Sequence, residues 1–400
     1  MTRLDTQVVI VGAGPAGLLL AHLLDQGGIE SIVVDSRSRA EIEQTIRAGI
    51  LEHGTVEVLD SLGDFSRART AGDRHDGIEL RFEGEGHRID FPGLTGKSVW
   101  LYPQHEVLID LIAARLSAGQ DIRFGVKVER ADDVETAHPT VVGTGPDGHP
   151  MQITGEFVVG ADGSHSVVRN VVTGPRGHSG YFHEYPFAWF GILTRAPKSS
   201  SELIYSNSPH GFALISQRSE DVQRMYFQCD PNTDPDSFSE EQLWEIMQMR
   251  VPGTELREGP IFQRDVLPFR SFVAYQLRRG RAAIVGDAAH TVPPTGAKGM
   301  NLAVADVILL NEALQGLLND NDQRGIDAFA QAASDRIWKA QHFSWWMTQM
   351  LHRSPHGDEF DHKRQIGELR SVVDSQAGRT YLAEAYTGWP FATHLANNSV

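Results

Sequence analysis

The turn Gly12-Ala13-Gly14-Pro15-Ala16-Gly17 constrains this chain more than any other stretch. Before it runs Val8-Val9-Ile10-Val11, a short apolar β segment. After it, residues 14 to 26 carry apolar side chains at helical spacing. Ile32-Val33-Val34 supplies a second strand, and Asp35 ends it roughly 20 residues beyond the first glycine. A G-x-G-x-x-G turn in that setting is a βαβ unit suited to a dinucleotide. Gly12 permits the tight turn, Gly14 lets a pyrophosphate approach the backbone, and Gly17 lets helix and strand pack closely. Free N–H groups and the helix dipole favour the phosphates, while Asp35 can accept from ribose hydroxyls. The pattern alone does not suffice. Gly143-Thr144-Gly145-Pro146-Asp147-Gly148 also fits it, but His149-Pro150-Met151-Gln152-Ile153 comes next as a strand, so that copy reads as a hairpin turn.

Four hundred residues exceed one compact core, so a large composite unit or two domains are expected. The net charge of −16 comes with no offsetting basic stripe, which argues against nucleic-acid binding. Cys229 is the only cysteine, which excludes an intramolecular disulfide, a redox cysteine pair and a cysteine-built metal site; no metal is expected. No stretch reads as the roughly 18 apolar residues of a spanning helix, and the N-terminus lacks a signal pattern. A cytoplasmic protein without membrane contact is the expectation.

Further along, residues 78 to 90 alternate like an exposed sheet, and residues 104 to 118 read as a helix leading into hairpin-like strands to about 160. Residues 185 to 230 are rich in aromatic and β-branched residues, with a turn at Asn207-Ser208-Pro209-His210-Gly211. Ala282 to Val285 reads as a buried strand, and residues 298 to 350 as two long helices. The expected fold is α/β: a Rossmann-like nucleotide domain (residues 1–75, 98–180 and 270–350) interleaved with an antiparallel-sheet substrate domain (76–97 and 181–269). Residues 351–400 form a C-terminal helical segment and tail.

Two more turns come after the first. One is Val158-Val159-Gly160-Ala161-Asp162-Gly163-Ser164-His165-Ser166-Val167-Val168-Arg169; the other is Ala283-Ile284-Val285-Gly286-Asp287-Ala288-Ala289-His290, continuing to Pro293-Pro294-Thr295-Gly296-Ala297-Lys298-Gly299-Met300-Asn301. Each alone could be a structural turn. In this order the three resemble the fingerprints of the class A flavoprotein aromatic monooxygenases. Leu203-Ile204-Tyr205, Ser216-Gln217-Arg218-Ser219, Arg224-Met225-Tyr226, Arg47-Ala48-Gly49 and Ile337-Trp338-Lys339-Ala340 are similar to the members acting on 4-hydroxybenzoate. The resemblance runs from about residue 5 to 390.

That resemblance implies FAD as the cofactor, held by Gly12, Gly14, Gly17, Asp35, Arg47, Gln104, Arg224, Asp287, Gly296, Lys298, Gly299, Met300 and Asn301. It gives Arg224 the coupling of the substrate site to the isoalloxazine. By the same resemblance Arg218 takes the ring carboxylate, helped by Ser216 and Tyr226, with Leu203 and Thr295 also against the substrate. It has Tyr205 hydrogen-bond to the phenolate, with Tyr386 behind it, His75 as the solvent end of a proton relay, and the Pro294 carbonyl beside the reacting hydroxyl. The implied reaction consumes NAD(P)H and O2, passes through a flavin C4a-hydroperoxide and yields 3,4-dihydroxybenzoate. A homodimer is also implied.

The nicotinamide nucleotide would meet Arg47, Glu41, Thr45, Asp162, His165, Arg169 and Arg270. Relatives that prefer NADPH tend to carry Arg, Tyr and Arg where this chain has Ser36, Glu41 and Thr45. A carboxylate repels a 2′-phosphate, so NADH preference or dual use is expected. Alternatives keep the fold and change the ring, to 4-aminobenzoate or a dihydroxybenzoate, or drop catalysis for flavin binding alone. A disulfide reductase is excluded by the lone Cys229.

Overall fold

Val8–Val11 is four consecutive β-branched residues without a polar face, and such a strand is stable only with both faces and both edges covered. The computed structural model, which describes residues 2–45, 49–63, 65–173 and 179–391, places it inside a six-stranded sheet. The spatial order is Arg278–Arg279, Ala282–Ile284, Phe157–Gly160, Val8–Val11, Ser31–Asp35 and Ile122–Phe124. All neighbours pair in parallel except the first two strands. Helices Pro15–Gln26 and Lys298–Asn319 pack against it and bury one continuous apolar cluster.

Glycine makes the centre of this sheet possible. Gly12 has φ +110°, and a Cβ there would lie 2.2 Å from the Ala161 carbonyl oxygen. A Cβ at Gly17 would lie 2.0 Å from the Gly12 carbonyl oxygen. At Gly14, by contrast, a Cβ would meet nothing within 4 Å. Two of the glycines are there for backbone contact, and the third faces open space.

A second sheet has eight strands, in the order His290–Thr291, Ile261–Ala274, Gly180–Arg195, Val222–Cys229, Gly211–Gln217, Leu203–Ser208, Gly77–Phe82 and Glu85–Asp90. It departs from the expected antiparallel sheet at one place: Leu203–Ser208 and Gly77–Phe82 run parallel, because the first sheet's helices and strands intervene between them in the chain. Ile261–Ala274 runs through residue 270, where a boundary between domains was expected. The repeat at 143–148 is a hairpin connection, joining the antiparallel strands Thr140–Thr144 and Pro150–Thr154.

The C-terminal helices Arg324–Leu351, Glu359–Val373 and Gln376–Thr387 cover the second sheet, and the last carries Tyr386 into its core. Helix Lys298–Asn319 is long and apolar enough to cross a bilayer by length and composition, contrary to the expectation that no stretch is; most of its apolar window is buried in the protein.

Gly12→Ala should destabilise the protein by about 2 kcal/mol or more, since it adds backbone strain to a steric clash. A thermal unfolding midpoint equal to that of the wild type would show the close approach to be dispensable.

Candidate active site

The two sheets meet over a cavity of about 1070 Å³. That exceeds the roughly 300–1,000 Å³ of most small-ligand clefts and leaves room for a dinucleotide together with a small ring. Gly12, Gly14, Asp35, Gln104, Asp162 and Asp287 line one part of it; Tyr205, Ser216, Arg218, Arg224 and Tyr226 line another. Helix Pro15–Gln26 begins at Gly14 with no side-chain cap, and helix Lys298–Asn319 begins at Ala297, also uncapped and with φ +54°. Gly14, Ala297, Gly299 and Met300 all line the cavity. Two unsatisfied helix N-termini therefore border one space, an arrangement that favours electron-rich groups. Donors and open glycine alike fit FAD.

Asp35 ties the first turn together. Its Oδ2 accepts from the Ala13 N–H at 2.8 Å, and Arg37 reaches both carboxylate oxygens. Asp306 does the same for the third turn, where its Oδ2 accepts from the Gly286 N–H at 3.0 Å and contacts His290 Nε2 at 2.6 Å. Burial pushes the His290 imidazole down, but Asp306 outweighs it and the net shift is upward.

Tyr205 lines the ring-sized part of the cavity, its hydroxyl 2.7 Å from that of Tyr386 behind it, and both side chains are buried. Burial raises both phenols above their ordinary range. Arg218 is held below the usual guanidinium value by burial, with Tyr226 pushing back. Trp189 forms a wall, 4.7 Å from the Tyr226 ring centroid, and its Nε1 donates to His352 Nε2 at 2.7 Å.

The sequence agrees with this geometry. Residues 5–344 match the FAD-binding-domain family. Over 396 residues the chain is 41% identical to p-hydroxybenzoate hydroxylase of Acinetobacter baylyi, covering 98% of this chain and 97% of that one. The chain belongs to the class A flavoprotein aromatic monooxygenases. It is also 28% identical over 342 residues to 6-methylpretetramide 4-monooxygenase of Streptomyces rimosus, covering 81% of this chain and 79% of that protein. The fold matches that of p-nitrophenol 4-monooxygenase from Pseudomonas putida, with a TM-score of 0.82, 21% identity, and coverage of 97% of this chain and 99% of that one.

Within this monooxygenase, the expected residues divide into those that reach the cavity and those behind it. Thr45, His165, Leu203, Arg270, Pro294, Gly299 and Met300 line it with the residues named above. Arg47 lies outside the described residues. Gly17 serves backbone packing, and a Cβ at Gly296 would meet the Phe343 ring at 2.9 Å. Thr295 is fully buried, with no partner for its hydroxyl among the described residues.

Several of the expected residues have partners within the protein. Asn301 was expected to hold flavin, but its amide is fully engaged by the protein: Oδ1 accepts from the Glu52 N–H and the Thr55 hydroxyl, and Nδ2 donates to the Ile50 and Ala297 carbonyls. Lys298 is buried against the Glu52 carboxylate and the Tyr386 carbonyl, because a buried ammonium requires a counter-ion. Arg169 donates to the Ala288 and Ser164 carbonyls, pinning two turns together. The Glu41 carboxylate caps its own helix through Ser38.

His75 is not at the solvent. It is buried, its Nε2 lying 2.9 Å from Gln217 Nε2 and 3.5 Å from Asp73 Oδ2; the half-exposed Asp73, paired with Lys198, is what reaches water. Burial lowers its pKa. Ser216 donates to the Arg224 carbonyl, and the Pro294 carbonyl accepts from the Ala297 N–H. Glu52, Trp189, Asp265, Asp306 and His352 were missed, since none belongs to a motif and each acts through a partner distant in the chain. Asp306 alone left a signal, as the one acid inside the apolar run from Leu302 to Leu310.

His352 makes a pH prediction. Burial pushes it down to about 3, whereas an unfolded histidine protonates near 6.5. The stability from its neutral ring is therefore complete above pH 6.5 and lost as pH falls toward 3. Below pH 6.5, wild-type stability should fall more steeply than that of His352→Gln, by up to about 1.4 kcal/mol per pH unit. Parallel pH profiles of denaturant unfolding would contradict this.

Proposed function

We propose that this protein hydroxylates 4-hydroxybenzoate beside its ring hydroxyl, giving 3,4-dihydroxybenzoate at the expense of NAD(P)H and O2. The observation carrying this reading is that Tyr205, hydrogen-bonded to the buried Tyr386 behind it, lines the same cavity as Arg218. A ring with a carboxylate at one end and a hydroxyl at the other has a partner for each. The name of the Acinetobacter baylyi relative supports the same substrate.

FAD would be held by the first-turn amides, Asp35 and the segment from Asp287 to Met300; reduced by NAD(P)H, it supplies the means to turn O2 into an electrophilic oxygen donor. The chain's own residues do the rest. Arg218 clamps the carboxylate, with Tyr226 and Ser216 at its side, which fixes the ring's orientation. Tyr205 remains protonated at neutral pH because burial raises its phenol. It therefore donates to the substrate's oxygen as that oxygen loses its proton, stabilising the electron-rich phenolate. Tyr386 takes the other end of the hydrogen bond. In this reading the proton leaves through His75, whose contacts to Gln217 and the half-exposed Asp73 reach toward water.

For the nicotinamide nucleotide, NADH is favoured or used alongside NADPH. Arg37 is paired with Asp35 and Arg39 with Glu43, so either would have to leave an acid to meet a 2′-phosphate. Catalytic efficiency with NADH should equal or exceed that with NADPH; a strong NADPH preference would refute this.

Purified protein should be yellow, and benzoate derivatives should be screened for stimulated NADH oxidation with product and peroxide measured separately. 4-Hydroxybenzoate should give tightly coupled product. With Tyr205→Phe, most of the O2 consumed should appear as peroxide, and unchanged coupling would remove Tyr205 from its role.

A further inference from the structure

Arg224 and Asp265 stand on strands that do not touch. Arg224 lies on Val222–Cys229 and Asp265 on Ile261–Ala274, with Gly180–Arg195 between them. Nevertheless Arg224 Nη2 donates to Asp265 Oδ2 at 2.7 Å. The pair crosses the middle strand beside Gly191, whose register partners are Tyr226 on one side and Asp265 on the other. A Cβ at Gly191 would lie 2.3 Å from Asp265 Oδ1 and 3.0 Å from the Tyr226 ring. Only bare backbone leaves space for this crossing.

The result is a small charged array inside the cavity. The Arg224 guanidinium lies 5.0 Å from the Tyr226 ring centroid, and Arg218, Arg224, Tyr226 and Asp265 all line the same space. The ion pair is single-pointed: Arg224 Nε and Asp265 Oδ1 are buried without a partner among the described residues. Asp265 also acts on Arg218. Burial is the main cause that lowers the Arg218 guanidinium, Arg224 adds to it, and Tyr226 and Asp265 oppose it. Asp265 thus offsets part of the positive charge that Arg218 and Arg224 present to an anionic ring.

We propose that Asp265 is a positioning and specificity-determining residue: it holds Arg224 beside Tyr226 across Gly191, and it sets the charge that an anionic ring meets. This rests on the reading that the pocket takes an aromatic carboxylate. Asp265 itself does not take part in the chemistry.

The test uses the FAD-loaded protein with Asp265→Asn, and with Asp265→Ser as a second variant that also removes the charge. Flavin absorbance is titrated with 4-hydroxybenzoate and with its neutral amide, 4-hydroxybenzamide, at low and high salt. Removing the charge should raise the affinity for the anion relative to the amide by about tenfold at low salt, a Coulomb effect across several ångströms at intermediate dielectric. High salt should shrink the difference. A purely structural role for Asp265 would shift anion and amide together. Equal shifts, or no shift in both variants, would overturn the proposal while leaving the functional reading in place. A wild-type holoprotein that binds neither ring would overturn both.

Discussion

The backbone contact between Gly12 and Ala161 is the constraint on which the cavity depends. It brings the turn after Val8–Val11 within van der Waals reach of the turn after Phe157–Gly160, at neighbouring strand ends. The third turn joins through the Val285 N–H, which donates to the Gly160 carbonyl. Three segments far apart in the chain thus open at one edge of one parallel sheet. Ligands of such sheets bind beyond the carboxyl ends of the strands, and here that edge forms the cavity floor.

Polar side chains then fix each turn in place. Asp35 holds the first through Ala13, Asp162 the second through Ser166 and the Val167 N–H, and Asp306 the third through Gly286 and His290. Each is a carboxylate accepting backbone or side-chain donors away from bulk water, where an unmet group costs about 1–3 kcal/mol. The protein's own side chains thus supply each turn with hydrogen-bond partners. Asn301, Lys298 and Arg169 extend the same support one layer outward, which is why they stand behind the cavity wall rather than on it.

The ring-sized end of the cavity is built differently. Its walls come from the second sheet, which is backed by helices that arrive last in the chain. Trp189, Phe187 and Phe212 stack around His352, a neutral imidazole that satisfies the Trp189 N–H within an apolar cluster. Tyr386 reaches Tyr205 only because helix Gln376–Thr387 packs over the sheet. This end of the cavity therefore depends on a contact spanning 181 residues of sequence.

Sequence by itself determined the nucleotide-binding half: a glycine turn between a β-branched strand and a helix has one stable local geometry, and its ligand chemistry is set by that geometry. The family resemblance, not strand spacing, pointed to Tyr205, Arg218, Arg224 and Tyr226, and all four line the cavity. Tertiary structure alone decided which side chains touch the cavity. Whether Asn301 faces a ligand or the Glu52 backbone, and whether His75 meets water or Gln217, depends on segments brought together from distant parts of the chain. The crossing of Arg224 to Asp265 is the clearest case. No local pattern encodes it, since it exists only where a third strand supplies a residue without a side chain at the point of passage.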